Sequence, residues 1–281
     1  MRILLTGASS SIGIKLTEKI ISNLGNFNEI FLITHSNLIS KKINFDHLKK
    51  VKLINQNLLN QFSAELKNKL SKIDCLIHFA WIRPTNPNDS IKLNLEVIEK
   101  IMENLKSNTK VIFLSSVAGI PDAISYYGKS KYLVSKKIYN TFNSSIFISG
   151  LIMSDSENSW FHSLKSFYEK LPILIKFGNN IKVLHTNSNN VVNAIYSNIF
   201  NFQKGVFKLY NNDDISLDNF IKKNSTIERK LHININWLLN FFLLAAKYIN
   251  YIPFINKISE KMIILITNSK LKTDEFIKRG L

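Results

Sequence analysis

Short apolar runs alternate with helix-patterned segments through the first half of the chain. This alternation constrains the fold more than any other feature. The runs are RILLT (2–6), EIFLIT (29–34), VKLIN (51–55), DCLIHFA (74–80), KVIFLSS (110–116) and SIFISG (145–150). They are almost continuously hydrophobic, as strands covered on both faces are. Between them lie segments with apolar residues at helical spacing: 11–24, where Ile12, Leu16, Ile20 and Leu24 share a face, then 63–72 and 90–107. The pattern predicts an α/β fold with a doubly wound parallel sheet. It fades after about residue 150, where helical texture recurs at 158–171, 189–202 and about 234–250, and 205–210 reads as a strand.

The first strand–helix junction reads LLTGASSSIG, with Gly7 and Gly13 bracketing the turn. A glycine turn at the end of a strand and the start of a helix lets backbone N–H groups approach a pyrophosphate, as in a Rossmann unit. A plain strand–helix turn has the same outline, but the surrounding α/β alternation is the context that cofactor binding requires. Ser11 stands where a middle glycine is usual, so altered phosphate binding is expected. The second strand ends FLITHSNLISKK. Thr34, His35 and Ser36 offer no carboxylate for a ribose 2′-hydroxyl, and Lys41 and Lys42 follow. This leans toward NADP over NAD.

Residues 125–136, SYYGKSKYLVSK, hold a Tyr and a Lys four apart twice: Tyr127 with Lys131, and Tyr132 with Lys136. A nearby ammonium favours the phenolate of a tyrosine whose ordinary pKa is about 10. Such a pair can exchange a proton with an alcohol or carbonyl while a nicotinamide exchanges hydride. Ser115 and Ser116 end the fifth strand, at the edge where open α/β sheets bind ligands. A loop carrying Gly119 and Pro121 leads from there to Tyr127. That placement selects Tyr127 as acid/base, Lys131 as its partner and Ser116 as the group orienting the substrate oxygen, with Ser115 in reserve. Tyr132 and Lys136 then read as helix packing and surface charge.

These pieces resemble the short-chain dehydrogenase/reductase superfamily, most of all its extended branch of nucleotide-sugar epimerases, dehydratases and reductases. The matching segments are TGASSSIG, IDCLIHFAW with Asp74, His78 and Ala80, Asn94 in IKLNLEVIEKIM, FLSSVAG and YGKSK. VLHTNSNNVVNAI (183–195) and the tail LITNSKLKTDEFIKRGL match more loosely. The resemblance implies cofactor contacts at Gly7, Ser9, Ser10, Ser11, Ile12, Gly13, His35, Asn57, Leu58, Phe79, Ala80, Asn94 and Lys131. It implies a Rossmann domain over 1–150 and a mainly substrate-binding part over 151–281, with a late segment (about 182–202) returning to the first. Hydride exchange at C4 of a nucleotide-activated sugar is the implied reaction, in surface polysaccharide synthesis. A homodimer through helices 90–107 and 127–142 is implied as well. Departures are Ser11, Asn57 and Asn190 in place of the usual Gly, Asp and Asp, and SGLIMSDS without an Arg-Pro. They motivate the alternative of a non-catalytic NAD(P)-binding regulatory protein. His78 is read as structural or cofactor-lining, with a catalytic base as the alternative.

The formal charge of +17 comes from 37 Lys and Arg against 20 Asp and Glu among 281 residues. The basic residues are scattered, and no nucleic-acid recognition motif or zinc-knuckle spacing accompanies them. A phosphorylated ligand fits this charge. No nucleic-acid partner and no metal is expected. Lys165, Lys170, Lys176 and Lys182 are candidates for the substrate phosphates or plain surface residues. Trp160 and Phe161 either stack on a base or pack in the core. The one cysteine, Cys75, lies in an apolar run and reads as a buried thiol of a cytoplasmic protein. The segment 237–254 is interrupted by Asn240, Lys247 and Asn250, so no transmembrane span is expected. It reads as a buried helix or one lying on a membrane surface.

Overall fold

The computed structural model describes residues 1–35, 39–154, 159–170, 174–176, 182–211, 215–224 and 232–234. Its first half runs β1 (Arg2–Thr6), α1 (Ser11–Ile21), β2 (Glu29–Thr34), β3 (Val51–Asn55), α2 (Ala64–Leu70), β4 (Cys75–His78), α3 (Ser90–Met102), β5 (Lys110–Ser116), α4 (Tyr126–Thr141) and β6 (Asn143–Ser149). There follow β7 (Leu151–Met153), α5 (Trp160–Lys170), β8 (Leu174–Lys176), β9 (His185–Asn187), α6 (Ser188–Phe200), β10 (Gly205–Leu209), α7 (Leu217–Asn224) and β11 (His232–Asn234).

Seven strands form one sheet in the order β10-β6-β5-β4-β1-β2-β3, and every pairing is parallel. Side chains alternate between its faces, as the pleat requires. Leu4, Leu76, Val111 and Ile146 point into one core, with Leu66 of α2, Val97 and Ile101 of α3, and Val134 and Ile138 of α4. Ile3, Leu5, Ile77 and Phe147 point into the other, with Leu16 and Ile20 of α1 and Val191 and Ile195 of α6. A sheet buried on both sides explains why its strands read as unbroken apolar runs. Late in the chain, α6 packs beside α1 and β10 extends the sheet from β6. Outside this sheet, β7 pairs with β9 and β8 with β11, each in parallel.

Small polar side chains start the helices where the sequence changes texture. Ser10, Ser63, Ser125 and Asn187 accept hydrogen bonds from the first-turn N–H groups of α1, α2, α4 and α6. Two helices stop sooner than their apolar spacing suggested. α1 ends at Ile21, and Leu24 falls in a separate turn. α3 ends at Met102, where the Asn104 side chain donates back to the Lys100 carbonyl (2.8 Å) and closes the last turn. The helix expected at about 234–250, the 237–254 segment and the tail lie outside the described residues. No helix among the described residues is long and apolar enough to cross a membrane.

Candidate active site at the strand ends

The sheet order reverses beside β1, whose neighbours are β2 and β4. At that reversal the backbone is drawn tight. Gly7 has φ +70°, and a Cβ there would lie 2.6 Å from the Ala80 amide nitrogen. A Cβ on Gly13 would lie 2.4 Å from the Gly7 carbonyl oxygen. Both glycines are therefore required by close approach, and Gly7 also by its left-handed backbone. Ser10 caps α1 through its hydroxyl, which accepts from the Gly13 N–H (3.0 Å). Ser9 and Thr34 share a hydrogen bond that joins the turn to the end of β2. Ser11 and Ile12 open the helix, so their N–H groups have no partner within it.

The structure gathers Gly7, Ser9, Ser10, Ser11, Ile12, Gly13, Phe79 and Ala80 around the ends of β1 and β4. Thr6 ties those ends together: its carbonyl accepts from the Phe79 N–H (3.1 Å) and its hydroxyl from the Ala80 N–H (3.3 Å). His35 is exposed directly after β2. Asn57 follows β3 with its side-chain oxygen turned back to accept from the Leu59 N–H (3.0 Å), and Leu58 is buried in the core. Asn94 lies on α3. Its oxygen accepts from the Ile82 N–H (2.9 Å), and its amide donates to the carbonyls of Ile82 (3.0 Å) and Ser90 (2.8 Å). Both amide hydrogens are thus used within the protein.

At the end of β5 the two serines part company. Ser115 is buried and bonded to the Ser135 hydroxyl (2.9 Å), which itself donates to the Lys131 carbonyl (2.7 Å). One proton per hydroxyl makes Ser115 the donor of this pair, so its O–H is committed inside. Ser116 is half-buried and only accepts, from the Ala118 N–H (3.3 Å). The loop beyond folds back onto α4: a Cβ on Gly128 would lie 2.3 Å from the Ala118 oxygen, and one on Gly119 3.1 Å from the Lys131 Cβ. This packing brings the strand end carrying Ser116 against the first turn of α4, which carries Tyr127.

The two Tyr–Lys pairs differ sharply. Lys136 is exposed, 5.9 Å over the Tyr132 ring. Lys131 is only 6% exposed. Its ammonium donates to the Leu114 carbonyl (2.8 Å) and lies 3.9 Å from the Trp81 ring centre and 4.7 Å from that of Phe113. Burial, with the Arg83 charge adding to it, lowers its pKa to about 7. Trp81 also meets the Tyr127 ring edge-on at 5.8 Å. His78 is buried, shares a 2.7 Å hydrogen bond with Thr6 and stacks on Phe113 at 5.7 Å. Burial, then the Lys131 charge, lower its pKa to about 3, so it stays neutral.

No protein-family model matches this sequence. No curated protein matches it either. Solved structures do match. UDP-glucuronic acid 4-epimerase from Bacillus cereus, crystallised with UDP-glucuronic acid and NAD, is 18% identical over 83% of this chain and 86% of its own, at TM-score 0.63. A nucleoside-diphosphate-sugar epimerase from Staphylococcus aureus is 14% identical over 99% and 95%, at 0.68. A short-chain dehydrogenase/reductase superfamily protein from Agrobacterium tumefaciens with bound NAD is 13% identical over 84% and 85%, at 0.63. This chain shares the fold of those three structures.

Within that fold, several side chains at the site carry little signal in the sequence alone. Trp81, Ser135 and Thr6 support Lys131, Ser115 and His78 through contacts between distant segments. Trp81 offered one clue, a large aromatic directly beyond the end of β4 at the ligand edge. Of the candidate phosphate lysines, Lys165 lies 3.9 Å from Glu169 on the same helix, and Lys182 is exposed beside Ser216. The side chains of Lys170, Lys176 and Trp160 lie outside the described residues. Phe161 packs in the core against Phe220 (6.0 Å). Among the described residues no group of His, Cys, Asp and Glu could hold a metal ion. Cys75 is fully buried, and burial pushes its thiol up to about 12.

Proposed function

We propose that this protein is an NAD(P)-dependent oxidoreductase or epimerase of the short-chain dehydrogenase/reductase superfamily acting on a nucleotide-activated sugar. The observation that carries the reading is the buried Lys131 one turn beyond Tyr127, beside a strand-end serine whose hydroxyl is not committed elsewhere. Tyr127 exchanges a proton with a sugar alcohol or ketone oxygen at C4. Lys131 favours the phenolate by its charge. Ser116 donates to the same substrate oxygen and holds it in line. The cradle of Gly7 and Gly13, where a side chain has no room, together with the open N–H groups of α1, suits a dinucleotide pyrophosphate. When bound there, a nicotinamide supplies the hydride exchange. Exposed His35, Lys41 and Lys42 beyond β2, with no carboxylate at its end, support NADP over NAD.

The +17 charge and the nucleotide sugars named for the similar structures support the substrate class. Surface polysaccharide synthesis is the role we assign to such a product. Residues 151–281 supply the substrate-binding part, and α6 on α1 with β10 on β6 support the return of a late segment to the Rossmann domain. Helices α3 and α4 pack side by side, which suits a homodimer. NADH and NADPH fluorescence, followed by turnover on a panel of UDP- and dTDP-sugars, tests the reading. Tyr127→Phe is expected to bind cofactor and lose turnover, and Tyr132→Phe to keep both. Cofactor binding with no turnover on the whole panel would favour the non-catalytic alternative.

A further inference from the structure

Trp81 has no part in the reading above, yet among the described residues its ring approaches the Lys131 ammonium more closely than any other. We infer that Trp81 is a positioning residue whose indole face seats the Lys131 ammonium while its edge rests on the Tyr127 ring, so that it sets the lysine's place and protonation. The inference rests on the roles proposed for Tyr127 and Lys131.

The seat is held from several sides. Ile82, the residue after Trp81, is gripped at both its N–H (2.9 Å) and its carbonyl (3.0 Å) by the Asn94 side chain. Asn94 also donates to the Ser90 carbonyl (2.8 Å). That carbonyl accepts from the hydroxyl of Ser130 (3.0 Å), next to Lys131. A hydrogen-bonded chain therefore links the loop carrying Trp81 to the helix carrying Lys131. Phe113 closes the seat 4.7 Å from the ammonium, and the Leu114 carbonyl accepts one of its three protons.

Among the described residues the groups facing the ammonium are few. His78 on β4 is neutral, Arg83 beyond it is a like charge, and Tyr127 lies on the same helix with its ring centre at 6.0 Å. No carboxylate forms an ion pair with Lys131 among the described residues. Burial and Arg83 both favour the neutral amine. What favours the charged form is one carbonyl and the negative faces of the rings, of which indole is the strongest. Without the indole face the amine loses its proton at lower pH, and a neutral amine no longer supports the Tyr127 phenolate.

Competitive acetylation of the intact protein, read at Lys131 by mass spectrometry across pH, tests this directly. The protonation constant of Lys131 is expected to fall about tenfold in Trp81→Leu, which keeps apolar bulk without a π face, and much less in Trp81→Phe. The alkaline limb of kcat/KM should move down with it. An unmoved constant in Trp81→Leu, or an equal shift in both variants, overturns the inference. Turnover absent from the unaltered protein would defeat the proposed function instead, while the labelling result stands by itself. If Trp81→Leu fails to fold, a Trp160→Phe/Trp237→Phe chain leaves Trp81 as the sole tryptophan, excited selectively at its red edge. Its emission should then step with pH and lose the step in Lys131→Met. A step that survives Lys131→Met, or no step at all, overturns the inference.

Discussion

Replacing Gly128 by alanine sets two opposed effects against each other. Alanine is favoured over glycine inside a helix by about 1 kcal/mol, so α4 considered alone gains stability. The structure opposes this. The new methyl lies 2.3 Å from the Ala118 carbonyl oxygen, about 1 Å short of ordinary contact. It also lies 2.9 Å from both the Ala123 Cβ and the Ser125 hydroxyl that caps the helix. Overpacking of this kind costs about 1–3 kcal/mol, and a disturbed cap about 1 kcal/mol more. The expected balance is a loss of about 1–3 kcal/mol by urea unfolding. Relief requires the 117–125 loop to move away from α4, which separates Ser116 from Tyr127. A shift near 1 Å at such a site lowers kcat/KM by about 100-fold. Dinucleotide affinity should hardly change, because the glycine turn lies at other strand ends. Gly25→Ala, with nothing within 4 Å of the new methyl, serves as the control and should be neutral or slightly stabilising. A Gly128→Ala protein more stable than the parent and equally active would refute the reasoning.

Three further outcomes are expected. His78 holds its pKa near 3 when folded, against an ordinary 6.5, so the unfolded chain takes up a proton that the folded chain refuses. Stability should therefore fall as pH drops from about 6.5 toward 3, and urea midpoints for His78→Phe should show a flatter slope in that window. Lys131 titrates near 7 in place of 10.5, so the unfolded chain again binds more protons between those values, and stability from this group rises with pH there. Lys131→Met removes that rise, and comparing its urea unfolding with the parent's at pH 6 and pH 9 measures it. Cys75, with its thiol raised to about 12, should resist a thiol reagent at pH 8 in the native protein and react fully in denaturant.

The sequence reading and the structure agree where local pattern and tertiary need coincide. The apolar runs that became β1 to β6 are continuous because α1 and α6 cover one face and α2, α3 and α4 the other. Gly7 and Gly13 stood out as a turn, and their crowding against Ala80 and Ala8 explains why side chains are excluded there. In the sequence the two Tyr–Lys pairs differ only in their distance from a strand end, and in the structure Lys131 is buried and Lys136 exposed. What stayed hidden depends on contacts between segments far apart in the chain. Ser115 and Ser116 are equivalent as letters, and only Ser135, twenty residues on, uses up the first. Nor does the sequence show that the Asn94 side chain grips Ile82 and Ser90. The short pairs β7–β9 and β8–β11 have too few residues to show a periodicity of their own.

Hydride exchange with a nucleotide sugar, assisted by Tyr127, is most directly tested by rapid mixing of the NAD(P)⁺-loaded protein with the sugar panel while reduced-nicotinamide absorbance is followed. The account predicts that absorbance rises with at least one sugar in the parent and in Tyr132→Phe, and is lost in Tyr127→Phe at undiminished cofactor binding. An equal rise in Tyr127→Phe, or no rise with any sugar while the dinucleotide is bound, would contradict it.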